Sequence, residues 1–420
     1  MQKAQGYCLG WERFGLCGEC EESETMKKSI FIMMYYMNCG GVENALVDLL
    51  KHINPEKYEV HILFVEKRGE FLSKIPKWVK MSELQVTEVE KELLLSLSIR
   101  DAIKKGIQTG KWIETIKISF EYLLCKLKKI PAPAYKTALL HKPSMKYDIA
   151  LDFHGYLSLT TYFIAEKIEA RKKYTWVHSE PVARKINSMW PYIKKYGNIF
   201  CVSQRCVDVV REELSRYDPG AVLLFKNFID REEIYRLSRS GNRLKKKEEE
   251  TLLLTVGRFS YEKGYDIAIQ AAKNLKDHGI SFKWYFCGDG ELWDEINGTI
   301  KQHGLEKEIV LLGYQENPYG YMVSCDIYVQ PSRYEGYAVT IVEASELGVP
   351  IISTDVSGAK EEIVDGKTGI VVPIDADALY GAISDLIEEP EKLMRMRTFA
   401  KNNKNIAEQT NQILLRSILE

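Results

Sequence analysis

The 420-residue chain carries 58 Lys and Arg against 59 Asp and Glu, with 45% hydrophobic residues. That composition excludes disordered, collagenous and coiled-coil proteins, and the length suffices for two domains with a core each. The longest apolar run, residues 30–37, is far below the ~20 residues that span a bilayer, and it leads into Cys39-Gly40-Gly41 rather than a cleavage site.

Nine cysteines without framework spacing fit reduced thiols in a cytosol. Cys17 and Cys20 are the only close pair, and no second pair or neighbouring histidines complete a zinc site. Charge is unevenly spread. Residues 1–25 sum to −3, 26–225 to +10 and 226–420 to −8. The basic stretch either faces something anionic or simply solvates its own helices with lysine.

Residues 1–25 lack periodicity and precede Met26-Lys27-Lys28, which reads as a natural start, so they are expected to be a disordered extension. From Ser29 onward the pattern is strand, glycine turn, helix. Residues 30–36 suit a strand buried on both faces, followed by Gly40-Gly41 and an apolar-periodic helix through Val42, Ala45, Leu46, Leu49 and Leu50. Strands are also expected at 58–65, 147–153, 174–178 and 198–203, which implies a parallel α/β sheet.

Residues 111–130 stand apart. Ile113, Ile116, Phe120, Leu123, Leu124 and Leu127 recur at helical spacing, lysines decorate the remainder, and Pro131 and Pro133 close the segment. Such a basic amphipathic helix either lies in an anionic membrane interface or packs its apolar face on a core.

The polar run 231–250 separates this series from a second one. Strands are expected at 251–256, 282–287, 309–312, 326–330, 350–353 and 369–372. The fold class is therefore α/β, with two Rossmann-like doubly wound domains facing across a cleft. The expected division is 1–25 extension, 26–226 first domain, 227–395 second domain and 396–420 a C-terminal helix returning to the first. Ligands of such sheets bind outside the carboxyl ends of the strands.

Two strand-end stretches carry chemistry. The first runs from Pro331 to Ala344. Gly336 lets backbone approach a ligand, and the amides of Tyr337, Ala338, Val339 and Thr340 open a helix, a ready anion site. Glu335 is expected to hang in the cleft, and Glu343, about a turn into the helix, can accept from paired hydroxyls. An anion site beside two such carboxylates describes a receptor for a sugar phosphate. The plainer alternative has Glu343 balancing the helix dipole and Glu335 solvated. The second stretch holds Gly257, Arg258, Lys263 and Gly264. Two cations on one strand-end loop can clamp a diphosphate and stabilise it as a leaving group. Asp375 and Asp377 imitate an Asp-x-Asp metal motif but precede Ala378-Leu379-Tyr380, where they read as a helix cap.

These stretches, with Gly358 to Gly369 following in order, resemble the family 4 retaining glycosyltransferases of the GT-B fold, over residues 28–372. The resemblance implies that Arg258 and Lys263 hold the donor diphosphate and Glu343 the ribose hydroxyls. Glu335, with the amides of Gly336, Tyr337, Ala338 and Val339, would hold the donor sugar and phosphates. Gly40, Gly41 and Glu43 look like the first-domain glycine loop near the phosphates and acceptor. His178 matches a strand-end histidine facing the donor sugar, and His154 a neighbouring strand-end position. Asn227 fits an interdomain segment whose usual proline is Phe228 here. No cofactor and no essential metal are implied.

The expected activity is transfer of a hexosyl group, with retention, from a nucleotide diphosphate sugar to a lipid-linked or growing glycan acceptor in cell-surface polysaccharide synthesis. The acceptor hydroxyl would attack from the leaving-group side. Cytoplasmic action at the inner face of the membrane, with peripheral contact to anionic lipid and none to nucleic acid, completes the expectation. A soluble transferase acting on a small sugar or protein, and a silent GT-B partner subunit, are the alternatives. A nicotinamide dehydrogenase is disfavoured because neither first glycine turn spells Gly-x-Gly-x-x-Gly.

Overall fold

The structure, a computed structural model, describes residues 27–420 except 39, 96–97, 129–133, 139, 156, 248–249 and 403–406. The proposed extension, the Cys17–Cys20 pair, Lys129 and the two closing prolines lie outside the described residues.

Two parallel sheets form. In the first, strands β1 (Lys28–Met34), β2 (Tyr58–Phe64), β3 (Lys80–Glu83), β4 (Lys146–Asp152), β5 (Glu169–Val177), β6 (Asn198–Cys201) and β7 (Ala221–Leu224) lie in the order β3-β2-β1-β4-β5-β6-β7. The second contains β8 (Thr251–Val256), β9 (Phe282–Cys287), β10 (Ile309–Gly313), β11 (Ile327–Gln330), β12 (Ile351–Thr354) and β13 (Gly369–Val372), ordered β10-β9-β8-β11-β12-β13. Each is the doubly wound arrangement, with its switch point at β1/β4 and at β8/β11. Continuous apolar runs become strands covered on both faces: Ile30 to Met34 are at most 1% exposed, and Ile32 pairs with Ile62 and Leu151.

The edge strands β3 and β7 were not expected. Lys80–Glu83 reads KMSE and Ala221–Leu224 reads AVLL. Neither shows a period, because an edge strand of four residues is ordered by its neighbour rather than by its own pattern.

The two sheets share packing. Tyr337 and Val342, beyond β11, lie in the same apolar cluster as Ile32, Leu46, Trp176 and Phe228. Leu415, Ile418 and Leu419 of the helix Ala407–Leu419 join that cluster, and the Lys28 ammonium donates to the Leu419 and Glu420 carbonyls. Phe228 is buried and stacks on His52 with ring centroids 4.0 Å apart, so an aromatic ring fills the crossing between domains. The polar run 231–250 is not a loose connector at its start. Asp230 caps the helix Arg231–Ser240, whose Ile234 packs into the second domain.

The helix Trp112–Leu127 does not pack its apolar face on a core. Thr115, Ile118 and Cys125 face inward, while Ile113, Ile116, Phe120, Leu123 and Leu127 are 52–83% exposed.

Candidate active site

β8 and β11 are neighbours in the sheet, so the loops that follow them meet although their sequences lie far apart. Lys263 closes a 3-10 turn, Tyr261–Lys263, and Gly264 follows in the left-handed region at φ 65°. A Cβ on Gly264 would overlap the Pro331 carbonyl, which docks one loop on the other. The stem of Lys263 lies over Gly257, where a side chain would crowd it.

The Lys263 ammonium donates to Glu335 Oε1 at 2.6 Å. Gln330 Nε2 and Ser332 Oγ donate to the same oxygen at 2.8 and 2.7 Å. Glu335 therefore does not hang in the cleft: its side chain is 10% exposed and three donors fix one oxygen. A carboxylate oxygen held by three donors is fixed in place. Gln330 is itself oriented by Tyr328 and Thr340 hydroxyls, which donate to its Oε1 at 2.6 and 3.0 Å. Arg333 grips Asp266 bidentately at 2.8 and 2.6 Å and ties the loop to the helix after Gly264. Gln330, Ser332, Asp266 and Arg333 were missed by sequence reasoning. A glutamine ending an otherwise apolar strand was the available signal.

Arg258 is exposed, and its charge reaches Glu43 of the first domain. Burial pushes the Glu43 carboxyl up, and Arg258 across the cleft holds it partly down. Glu43 folds back over Gly40, where a Cβ would meet its carboxylate. Gly40 is extended, at φ −158°, and space around Gly41 is open. The first glycine turn is thus a seat for Glu43 rather than a left-handed turn.

The helix Val339–Glu346 begins after Ala338, which adopts φ 47° and ψ 55°, a left-handed conformation strained for alanine. Tyr337 is buried, its hydroxyl donating to Glu362 Oε1 at 3.2 Å, while Lys226 donates to that oxygen at 2.6 Å. Glu361 accepts from the Gln204 amide at 2.8 Å, at the start of the helix Gln204–Glu213. Both contacts cross between domains at the mouth of the cleft.

Glu343 is 7% exposed and accepts from the Tyr319 hydroxyl at 2.8 Å. Burial pushes its carboxyl up to about 7, with Tyr319 opposing and Asp48 of the first domain reinforcing the rise. Glu343 is therefore no exposed partner of the helix dipole.

His178 ends at the cleft with its Nε2–H donating to the Phe153 carbonyl at 2.6 Å, and burial lowers it to about 4. It is neutral at physiological pH. Its backbone carbonyl lies so close to Gly336 that any Cβ there would overlap it. His154 is half-buried against Tyr35, with ring centroids 5.0 Å apart; loss of solvation, then the neighbouring His178, lower it to about 3. Beneath them Asp152 accepts from Thr160, Thr161 and Thr175 at 2.9, 2.6 and 2.8 Å and anchors the strand end. Asp375 accepts from the Asp377 and Ala378 amides at 3.0 and 2.9 Å, the geometry of a helix cap.

Residues 239–403 match the family model described as Glycosyl transferases group 1. Over 185 residues the chain is 30% identical to the N-acetylgalactosamine-N,N'-diacetylbacillosaminyl-diphospho-undecaprenol 4-alpha-N-acetylgalactosaminyltransferase of Campylobacter jejuni, covering 44% of this chain and 49% of that one. It is 32% identical over 152 residues to the alpha-D-kanosaminyltransferase of Streptomyces kanamyceticus, covering 36% and 39%. The chain thus spans half or less of the length of these curated relatives. The structure of Anabaena Alr3699/HepE in complex with UDP and glucose superposes with a TM-score of 0.63 at 18% identity, covering 93% of this chain and 98% of that one. Residues 239–403 thus resemble the group 1 glycosyl transferases, and the two parallel sheets have the GT-B fold of the solved structures.

Proposed function

We propose that the protein transfers a hexosyl group, with retention, from a nucleotide diphosphate sugar to a lipid-linked or growing glycan acceptor. The observation that carries this is the Glu335 carboxylate fixed by Lys263 at the β8/β11 switch point. It sits beside the Gly336–His178 contact, where the two domains meet. Lys263 and Arg258 supply positive charge to the leaving diphosphate, and the amides opening Val339–Glu346 add the helix end. Glu335 orients the donor sugar through its hydroxyls. His178, neutral and fixed through its ring, positions the strand end that faces the sugar. The acceptor hydroxyl attacks from the leaving-group side, and its proton passes to a phosphate oxygen. The Campylobacter jejuni relative is named for a diphospho-undecaprenol-linked substrate, which supports a lipid-linked acceptor. Buried free thiols at Cys125, Cys201, Cys206, Cys287 and Cys325 suit a cytoplasmic site of action, at the inner membrane face where such an acceptor is reached.

The test is a panel of nucleotide diphosphate sugars in thermal-shift and hydrolysis assays. A donor at 100 times its Kd stabilises by about 2.7 kcal/mol. No shift with any donor would overturn the proposal.

Two predictions arise here. Because Arg258 and Lys263 carry the charge on the diphosphate, transfer is expected to survive EDTA. Loss on chelation with recovery on manganese would refute that assignment. Glu343 gives a pH signature. Ribose hydroxyls donate to an ionised carboxylate, and burial holds this one near 7. UDP-glucose affinity should therefore fall as pH drops below about 7, approaching tenfold per unit, and level off above it. Glu343→Gln should bind more weakly and without that slope; a flat wild-type profile by calorimetry would remove Glu343 from the site. The same shift acts on folding with a defined sign. The native carboxyl keeps a proton that the unfolded chain loses near 4.5, so this group's contribution to stability declines as pH rises from there to about 7.

A further inference from the structure

We infer that the helix Trp112–Leu127 is a membrane-surface anchor that lies in the plane of an anionic lipid leaflet. The inference stands on geometry outside the donor site and does not require the proposed acceptor.

The helix is 16 residues long, about 24 Å at 1.5 Å per residue. At 100° per residue, Trp112, Ile113, Ile116, Phe120, Leu123 and Leu127 occupy one stripe. Their exposures are 58, 83, 67, 58, 52 and 71%. Thr115, Ile118 and Cys125 take the opposite side, against the neighbouring helices. One of those neighbours, Ile99–Gln108, meets it so closely that a Cβ on Gly106 would overlap the Thr115 hydroxyl. The outward aim of the stripe is thus set by packing on its back. Large apolar side chains placed side by side on a surface mark an interaction site.

Charge selects the partner. Lys126 borders the stripe on one edge, Lys117 and Lys128 on the other, all exposed. Glu114 and Glu121 fall farther round, and both are half-buried. Lys117 also stands 3.8 Å from Glu90, which leaves it at the border with its charge partly offset. Lys104 and Lys105 lie exposed on the adjacent helix. Residues 99–130 hold eight basic and three acidic side chains, within the domain whose net charge is +10. An apolar stripe edged by lysines matches a leaflet in which acyl chains lie beneath anionic headgroups: the stripe enters by a side-chain depth while the ammonium groups remain among the phosphates. A second copy of this basic surface would repel it. No helix among the described residues is long and apolar enough to cross a membrane, so contact through this helix is peripheral.

The experiment is sedimentation of the full chain with vesicles. Binding is expected with phosphatidylcholine containing phosphatidylglycerol, not with phosphatidylcholine alone, and release is expected at high salt, because headgroup attraction fades within a Debye length. Each lysine near the surface contributes about fivefold in partitioning, so the Lys117→Glu, Lys126→Glu, Lys128→Glu triple variant should bind at least a hundredfold more weakly. Phe120→Asp with Leu123→Asp should abolish binding. Brominated lipid should quench the wild type more than Trp112→Phe. Circular dichroism checks folding, and if the aspartate variant unfolds, the lysine variant decides alone. Equal binding to neutral vesicles, no binding to anionic ones, or wild-type binding by the lysine variant would overturn the inference. So would self-association abolished by the aspartate variant without any vesicle binding, which would assign the stripe to a second copy.

Discussion

Lys263→Ala is expected to lower kcat/KM for donor turnover by roughly 30- to 1,000-fold, the 2–4 kcal/mol typical of losing one preorganised electrostatic partner, and Arg258→Ala to fall in the same range. The two variants should differ in kind. In the proposed function Lys263 has two roles: it would offer charge to a diphosphate, and it holds Glu335 at 2.6 Å. Arg258 is exposed and acts on Glu43 across the cleft, so its removal leaves the Glu335 cluster intact. A double-mutant cycle with Glu335→Gln separates the roles of Lys263. If Lys263 served only to orient Glu335, the double variant would match Glu335→Gln alone. If it binds the diphosphate, inhibition by a nucleoside diphosphate weakens in Lys263→Ala and persists in Glu335→Gln. Near wild-type turnover in the folded Arg258→Ala, Lys263→Ala double variant would dismiss the diphosphate clamp.

The arrangement around Lys263 also shows where sequence reasoning stops. That Lys263 and Glu335 belong to one site follows from residue type and order, but that they touch depends on β8 lying beside β11. This is a property of sheet order that no local pattern encodes. Glu335 was expected to hang in the cleft; its donors Lys263 and Gln330 come from beyond its own turn. Apolar runs such as 251–256 and 282–287 were legible as strands because burial on both faces demands continuous hydrophobicity. The edge strands Lys80–Glu83 and Ala221–Leu224 bear no such demand. The helix Trp112–Leu127 is the complementary case. Its periodicity was plain from the sequence, yet a period identifies a stripe without saying which side meets the protein. Contacts of Ile118 and Cys125 with Val89, Leu93 and Ala102 decide that question in favour of the other face.

Gly336→Ala should be at least as damaging to turnover as loss of a clamp cation, while leaving the two sheets folded. A Cβ at 336 would overlap the His178 carbonyl oxygen, which is backbone and cannot rotate away. Either the loop carrying Glu335 or the end of β5 must retreat, and neither is soft. Glu335 is held by three donors, and the His178 ring is tied to Phe153 at 2.6 Å. The strand end rests on the buried Asp152 and its threonines. A displacement of about 1 Å at reacting groups costs on the order of a hundredfold in rate, so a fall of that size or more in kcat/KM is expected. The contact lies outside both sheets, at the edge of the apolar cluster that holds Tyr337 and Trp176, so the melting temperature should change by only a few degrees. Gly381→Ala supplies the contrast. Gly381 sits inside the helix Ala376–Glu388 with nothing within 4 Å of its missing Cβ. Alanine there should raise stability by up to about 1 kcal/mol through helix propensity and leave turnover unchanged. Thermal melts and steady-state rates on both variants test the contact directly. Wild-type turnover by Gly336→Ala would mean that the His178 end of β5 and the Glu335 loop do not meet during catalysis. Loss of folding together with turnover would place the contact among the supports of the fold rather than in the site.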